Sequence, residues 1–177
     1  MIRKNSVGDL PVIDPSSYVD PSAEIIGKVK IGKNVYIGPG AIIRADEMES
    51  SIVIQDNCNV QDRVIIHALA GSTVEAGKNN SLAHGCIVHG PCIIGAGCFI
   101  GFGSVVFNAK LGDEVIIKHL VVVEGIEILS GKVVPSGTVI DSDDKLKNLA
   151  MATEELRAFS QKVVKVNLDL VEGYKNT

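Results

Sequence analysis

Residues 82–106 read LAHGCIVHGPCIIGAGCFIGFGSVV. Within them Leu82, Val88, Ile94, Ile100 and Val106 recur every six residues. Neither the 3.6-residue period of a helix nor the plain alternation of a strand generates that spacing. The same interval continues on both sides. Upstream it links Val19, Ile25, Ile31, Ile37 and Ile43, then Ile54, Val60 and Ile66; downstream it links Leu111, Ile117 and Val123. A sustained sixfold period predicts an all-β solenoid, a left-handed parallel β-helix of hexapeptide repeats. Each hexapeptide supplies one short strand and one corner. Three of them close a triangular coil of 18 residues, with neighbouring coils about 4.8 Å apart.

A second column follows four residues behind the first: Ala23, Val29, Val35, Ala41, Cys58, Val64, Cys86, Cys92, Cys98 and Ser104. It takes in all four cysteines. Strands six residues apart lie on different sides of a triangle, so these sulfurs are expected to be small packing groups rather than metal ligands or disulfides. Residues 45–53 and 70–80 interrupt the repeat and are expected to be loops. Residues 1–140 are assigned to the β-helix and 141–177 to a C-terminal helical segment packed on it in the same domain. Ser142 is the expected cap of a first helical turn, ahead of Asp143 and Asp144. A longer helix is expected from Thr153-Glu154-Glu155, with Phe159, Val163, Val166 and Leu170 as the apolar stripe that covers the solenoid.

Hydrophobic residues make up 46% and charged residues 21%, enough apolar material for a single packed core. The net charge of −4 argues against a nucleic-acid partner. No apolar run is long enough for a membrane span, and the first residues do not resemble a secretory signal, so a cytoplasmic location is expected.

Three of the four histidines, His67, His84 and His89, lie between Asn59 and Pro91. His67 and His89 each directly follow an inward aliphatic residue, so both point outward. They are 22 residues apart, one coil plus a short insertion, which stacks them on adjacent rungs. A corner separates His84 from His89 and turns it to another side. One metal could meet all three only if His84 came from a neighbouring copy, which argues for a homotrimer with interfacial sites. Neutral imidazole is the commonest ligand for a borderline metal, and three with one open position suit hydrolytic or hydrating chemistry. The plainer alternative is three surface histidines that make only hydrogen bonds.

The segment NVQDRVIIHAL (59–69), followed by SLAHGCIVHGP (81–91), closely resembles the γ-class carbonic anhydrases and their hexapeptide-repeat relatives. The ending VNLDLVEGYK (166–175) is similar to that of archaeal members. The resemblance implies a lyase: a left-handed β-helix trimer that hydrates CO2 reversibly to bicarbonate through a metal-bound hydroxide at each subunit interface. It implies His67, His84 and His89 as metal ligands, Gln61 as the hydrogen-bond partner of the hydroxide, and Asn59 as the residue orienting Gln61. Arg44 and Asp62 match a charged pair across the interface. Asp46 and Glu47 match acidic positions near the site, and Asn167 a residue that positions CO2. Zn2+ is the expected metal, with Fe2+ or Co2+ as alternatives, since imidazole suits all three.

The chain departs from the family pattern in ways that assign it to a shorter-loop branch. Ala70 stands where efficient members carry a proton-shuttling Glu, and Lys165 replaces an aromatic residue. Glu47 is then the expected proton carrier, with Glu75 a weaker candidate. Two rival functions are carried forward. One is a metal-binding scaffold without hydratase activity. The other is a metal-free hexapeptide acyltransferase, for which His119 would be the catalytic base.

Overall fold

The computed structural model describes residues 1–175 of the 177-residue chain. The chain forms a left-handed parallel β-solenoid of about seven turns, closed by a C-terminal helix. The expected inward column is dry: Ile25, Ile37, Ile43, Val60, Val88, Ile100, Val106, Ile117 and Val123 have no exposed surface. The second column is equally buried, with Cys86 and Cys98 at 0% and Cys58 and Cys92 at 2% exposure. Two of the sulfurs reach a backbone partner: Cys58 Sγ lies 3.0 Å from the Gly77 carbonyl and Cys98 Sγ 3.1 Å from that of Gly112.

Ile25, Ile43, Ile66, Val88, Val106, Val123 and Ile140 are successive register partners, so the coils between them hold 18, 23, 22, 18, 17 and 17 residues. Two insertions and two deletions are thus absorbed at corners, one of them as a register shift between His89 and Cys92. The interruptions are narrower than the sequence suggested. Ser51–Ile54 and Thr73–Ala76 are strands paired with each other, because Ile52, Ile54, Val74 and Ala76 keep an alternating inward pattern. Close stacking also dictates small residues at some corners. A Cβ on Gly95 would meet Asp113 Oδ1 at 2.5 Å and its backbone nitrogen at 2.6 Å.

The three faces differ outside. The first carries two outward columns. Ile42, Ile65, Ile87, Val105, Val122 and Val139 form an apolar ladder, and Arg44, His67, His89, Phe107 and Glu124 lie beside it. The second face includes Thr73–Ala76 and the end of Ile87–Ile94. The third face presents Tyr18, Tyr36, Asn59, Ser81, Phe99, Ile116 and Val133 in register.

Two helices follow the solenoid, α1 (Asp143–Leu146) and α2 (Glu154–Lys175). Ser142 precedes α1 in an extended conformation, but its hydroxyl makes no capping bond. The helix α2 lies along the third face, and it does so on a different stripe from the expected one. Ser160, Val164, Asn167 and Val171 are buried, whereas Phe159, Val166 and Leu170 are exposed. Ring contacts set this rotation. Phe159 meets Phe99 edge-on at 5.6 Å, and Tyr174 stacks on Tyr18 at 4.7 Å. Leu156 and Val163, on either side of Phe159 in the helix, pack against the cluster of Phe99, Ile116 and Val133. No helix among the described residues is long and apolar enough to cross a membrane.

Burial pushes the Cys58, Cys86 and Cys98 thiols up to about 12 and Cys92 to about 11. All four should therefore resist alkylation at pH 8 in the folded protein and react on unfolding, as mass spectrometry would count. Cys92→Ala should cost about 1 kcal/mol in denaturant unfolding and leave the metal content unchanged. Loss of one metal per subunit with the fold intact would reassign Cys92 as a ligand.

Candidate metal centre

Strand pairing decides where the histidines go. His67, at the end of Ile65–His67, is the register partner of His89 on the next coil. Their rings meet edge-on at 4.8 Å, with His67 Nδ1 3.0 Å from His89 Nε2. Proton positions follow from the partners. His89 Nδ1 lies 3.3 Å from the Gly90 carbonyl, which can only accept. In neutral His89 the proton is then on Nδ1, and Nε2 accepts from His67 Nδ1–H. Neutral His67 is left with a bare lone pair on Nε2.

That nitrogen is buried without a hydrogen-bond partner. Glu47 Oε1 stands 3.3 Å from it and Asp46 Oδ1 3.6 Å. A lone pair facing two carboxylates calls for a cation. A proton would also serve, but burial first, and the Arg44 guanidinium second, hold His67 below its usual 6.5 despite both acids. His67 Nε2 thus fits as one ligand to a divalent metal, because neutral imidazole is the ligand form.

The neighbouring groups are themselves held. Within the chain Arg44 pairs with Asp46, Nη2 to Oδ2 at 3.1 Å. Glu47 Oε2 accepts a hydrogen bond of 2.7 Å from the Ala70 backbone N–H. The position that lacks a shuttle carboxylate therefore anchors the carboxylate of another loop.

A second group of residues lies on the third face and its outgoing corner. Gln61 Nε2 donates to Asn59 Oδ1 at 2.9 Å, and Asn59 Nδ2 donates to Ser81 Oγ at 2.8 Å. All three are buried. Spending its Nε2 on Asn59 leaves Gln61 Oε1 as the acceptor. Next to it Asp62 Oδ2 lies 3.4 Å from Nδ1 of His84, whose side chain is 54% exposed. Asn167 lies on the buried face of α2, with Nδ2 donating to the Val163 carbonyl at 2.9 Å.

One protomer thus gathers Asp46, Glu47, His67 and His89 on its first face, and Asn59, Gln61, Asp62 and His84 around a different corner. Among the described residues of the single chain, no group of three His, Cys, Asp or Glu side chains converges to hold a metal. Glu75 is on the second face, in register with Ile93, away from His67. Ser81 was missed by the sequence reading. Its signal was available: Asn59 and Ser81 are the polar pair in an otherwise apolar and aromatic outward column.

His119 does not suit the base role of an acyltransferase. Its Nδ1 accepts the Phe102 backbone N–H at 3.1 Å, so in the neutral ring Nε2 carries the proton and cannot take another.

Comparison with known proteins gives three kinds of relative. Residues 11–45 match the family model described as "Bacterial transferase hexapeptide (six repeats)". The chain is 39% identical to the carbonic anhydrase of Methanosarcina thermophila over 189 aligned residues, covering 94% of this chain and 76% of that one. It is 35% identical to the carnitine operon protein CaiE of Escherichia coli over 110 residues, covering 62% of this chain and 55% of CaiE. Among solved structures, a hexapeptide transferase family protein from Anaplasma phagocytophilum superposes with a TM-score of 0.83 at 27% identity, over 98% of this chain and 97% of that one. Near-complete coverage at 39% identity, on a sixfold repeat that runs the length of the solenoid, shows that the chain belongs to the γ-class carbonic anhydrase family of hexapeptide-repeat proteins.

Proposed function

We propose that three copies of this chain assemble into a carbonic anhydrase that interconverts CO2 and bicarbonate. In this reading each metal, Zn2+ with Fe2+ or Co2+ as alternatives, is held by His67 and His89 of one protomer and His84 of a neighbour, which requires His89 Nε2 to release the hydrogen bond it accepts from His67 Nδ1. The observation that carries it is the unpartnered, buried Nε2 of His67 beside His89 and two carboxylates. Two further features support assembly. The apolar ladder from Ile42 to Val139 runs along the histidine face, with Ile65 37% and Val139 45% exposed. On the other side, His84 offers an exposed ring whose Nδ1 lies 3.4 Å from the Asp62 carboxylate. A proton on Nδ1, facing the Asp62 carboxylate, would leave Nε2 as the donor to a metal.

A divalent metal, when bound, supplies the Lewis acidity that brings the pKa of water from about 15.7 towards about 7. The residues do the rest. Gln61 Oε1 accepts the remaining proton of the nucleophile and so turns its lone pair towards CO2; the Asn59–Ser81 chain keeps that amide from flipping. Asn167 has one Nδ2 hydrogen left after its bond to Val163, and this reading assigns that group to CO2. Glu47 relays the released proton, because one of its oxygens is near His67 and its side chain is 38% exposed. Asp46 is the poorer carrier, since its carboxylate is held by the Arg44 guanidinium at 3.1 Å.

Mixed trimers test the divided site. His84→Ala and the double variant His67→Ala/His89→Ala should each abolish hydration alone. Random mixing of the two should restore about a quarter of the sites, the share in which an intact half meets an intact half. Verified mixed trimers without any recovery would overturn the split.

Buffer dependence tests the proton path. Glu47→Ala should lower turnover in weak buffer about tenfold, and imidazole should restore it. Ala70→Glu should raise weak-buffer turnover by a similar factor while CO2–bicarbonate exchange at equilibrium stays within about twofold. If Glu47→Ala leaves the buffer dependence unaltered, Glu47 is not the carrier.

A further inference from the structure

The corner that bears His84 carries a stack of rings that the metal-site residues do not explain. Asp62, His84, Phe102 and His119 occupy the same corner on four successive coils. Backbone bonds hold them in line: Gly85 N–H donates to the Asp62 carbonyl at 2.9 Å, Gly103 N–H to that of His84 at 3.1 Å, and Leu120 N–H to that of Phe102 at 2.9 Å. The residue after each one, Arg63, Gly85, Gly103 and Leu120, has a left-handed φ between 55° and 69°. Leu120 takes that conformation at a cost glycine would avoid, so the corner geometry is imposed rather than permissive.

Along this corner the side chains stack. The His84 and Phe102 rings lie 5.4 Å apart at 28°, and the Phe102 and His119 rings 4.4 Å apart at 15°. Phe102 is 45% exposed, where an aromatic ring gains little from burial. Its lower face is fixed by His119, and His119 is fixed in turn. Its Nδ1 accepts the Phe102 backbone N–H at 3.1 Å, and its ring meets Phe99 edge-on at 6.4 Å. The stack therefore has a rigid base in the third face and ends on His84.

We propose that Phe102, backed by His119, is a positioning platform that holds the His84 imidazole in its metal-binding orientation before the metal arrives. An exposed histidine samples several rotamers, and ordering it lowers affinity. Here one ring face rests on Phe102 and Nδ1 is turned to Asp62, which leaves Nε2 directed away from its own chain. Asp62 alone could pivot with the ring; the stack removes that freedom. The same contacts give His119 a structural task and account for its sequestered Nδ1. This inference rests on the reading of His84 as a ligand.

The test is the affinity of the metal-free trimer for Zn2+, measured by chelator competition, with trimer content checked by sedimentation. Phe102→Ala should weaken binding about tenfold, within the range for residues that orient a ligand. Phe102→Tyr, which keeps the ring, should bind as the wild type does. His119→Ala should weaken binding by a smaller factor, and His119→Phe, which keeps the stack, should restore it. His84→Ala separates the two levels. If it binds Zn2+ as tightly as wild type, the metal-site reading has failed. If it loses binding while Phe102→Ala does not, only the platform is overturned. Should Phe102→Ala not assemble, the wild-type protein decides without it. In the metal-free trimer the His84 ring protons should show the upfield NMR shift of a nucleus over an aromatic face and a single rotamer; an unshifted, rotamer-averaged His84 would overturn the proposal.

Discussion

Everything in this molecule depends on rung-to-rung parallel backbone pairing, with register changes confined to corners. Each coil donates to and accepts from the next on all three faces, so a one-residue slip would turn every inward aliphatic side chain outward. Coils of 17, 22 and 23 residues keep the register of coils of 18 because the differences are confined to corners. The His67–His89 pair follows from this. Neither residue selects the other; the strands Ile65–His67 and Ile87–Ile94 bring them together, and the four-residue lengthening between them lies in the corner loop.

The same rigidity prevents the chain from completing the centre by itself. Side chains on different sides of a packed triangular coil cannot converge, and the solenoid has no hinge. The first face therefore holds a concentrated electrostatic imbalance, a bare nitrogen opposite two carboxylates, while the matching imidazole stands on another corner with half its surface in solvent. In the proposed trimer, assembly would answer both halves together, with the apolar ladder beside the histidines as the area for it. The Asn59–Gln61–Ser81 chain follows the same logic on the third face: a buried amide is tolerable there because each of its neighbours is satisfied in series.

Much of this was legible in the residues, and the exceptions have physical causes. The sixfold period carried the fold because an inward aliphatic position repeats only if the chain turns a corner every six residues. It also fixed which residues point outward and hence the stacking of His67 on His89. The loops around 45–53 and 70–80 were drawn too wide, since Ser51–Ile54 and Thr73–Ala76 keep strand alternation after the sixfold phase is lost. The face of α2 was misjudged because helical periodicity counts apolar side chains and ignores what they meet. The third face is partly polar at Asn59 and Ser81, so the helix turns Ser160 and Asn167 towards the solenoid and leaves Val166 and Leu170 exposed. The roles of Phe102 and His119 were hidden for a related reason. They stack along the solenoid axis, and contacts in that direction link residues 17 or 18 apart rather than neighbours in sequence.

The central claim is that one metal lies between protomers and serves CO2 hydration. Protein purified without oxygen, loaded with Zn2+, Fe2+ or Co2+ and crystallised as the trimer, would show it in anomalous scattering. One metal peak per protomer is expected, bounded by His67 and His89 of one copy and His84 of another, in protein that exchanges 18O between CO2 and water. A metal held within a single protomer, or a fully loaded trimer without exchange, would contradict it.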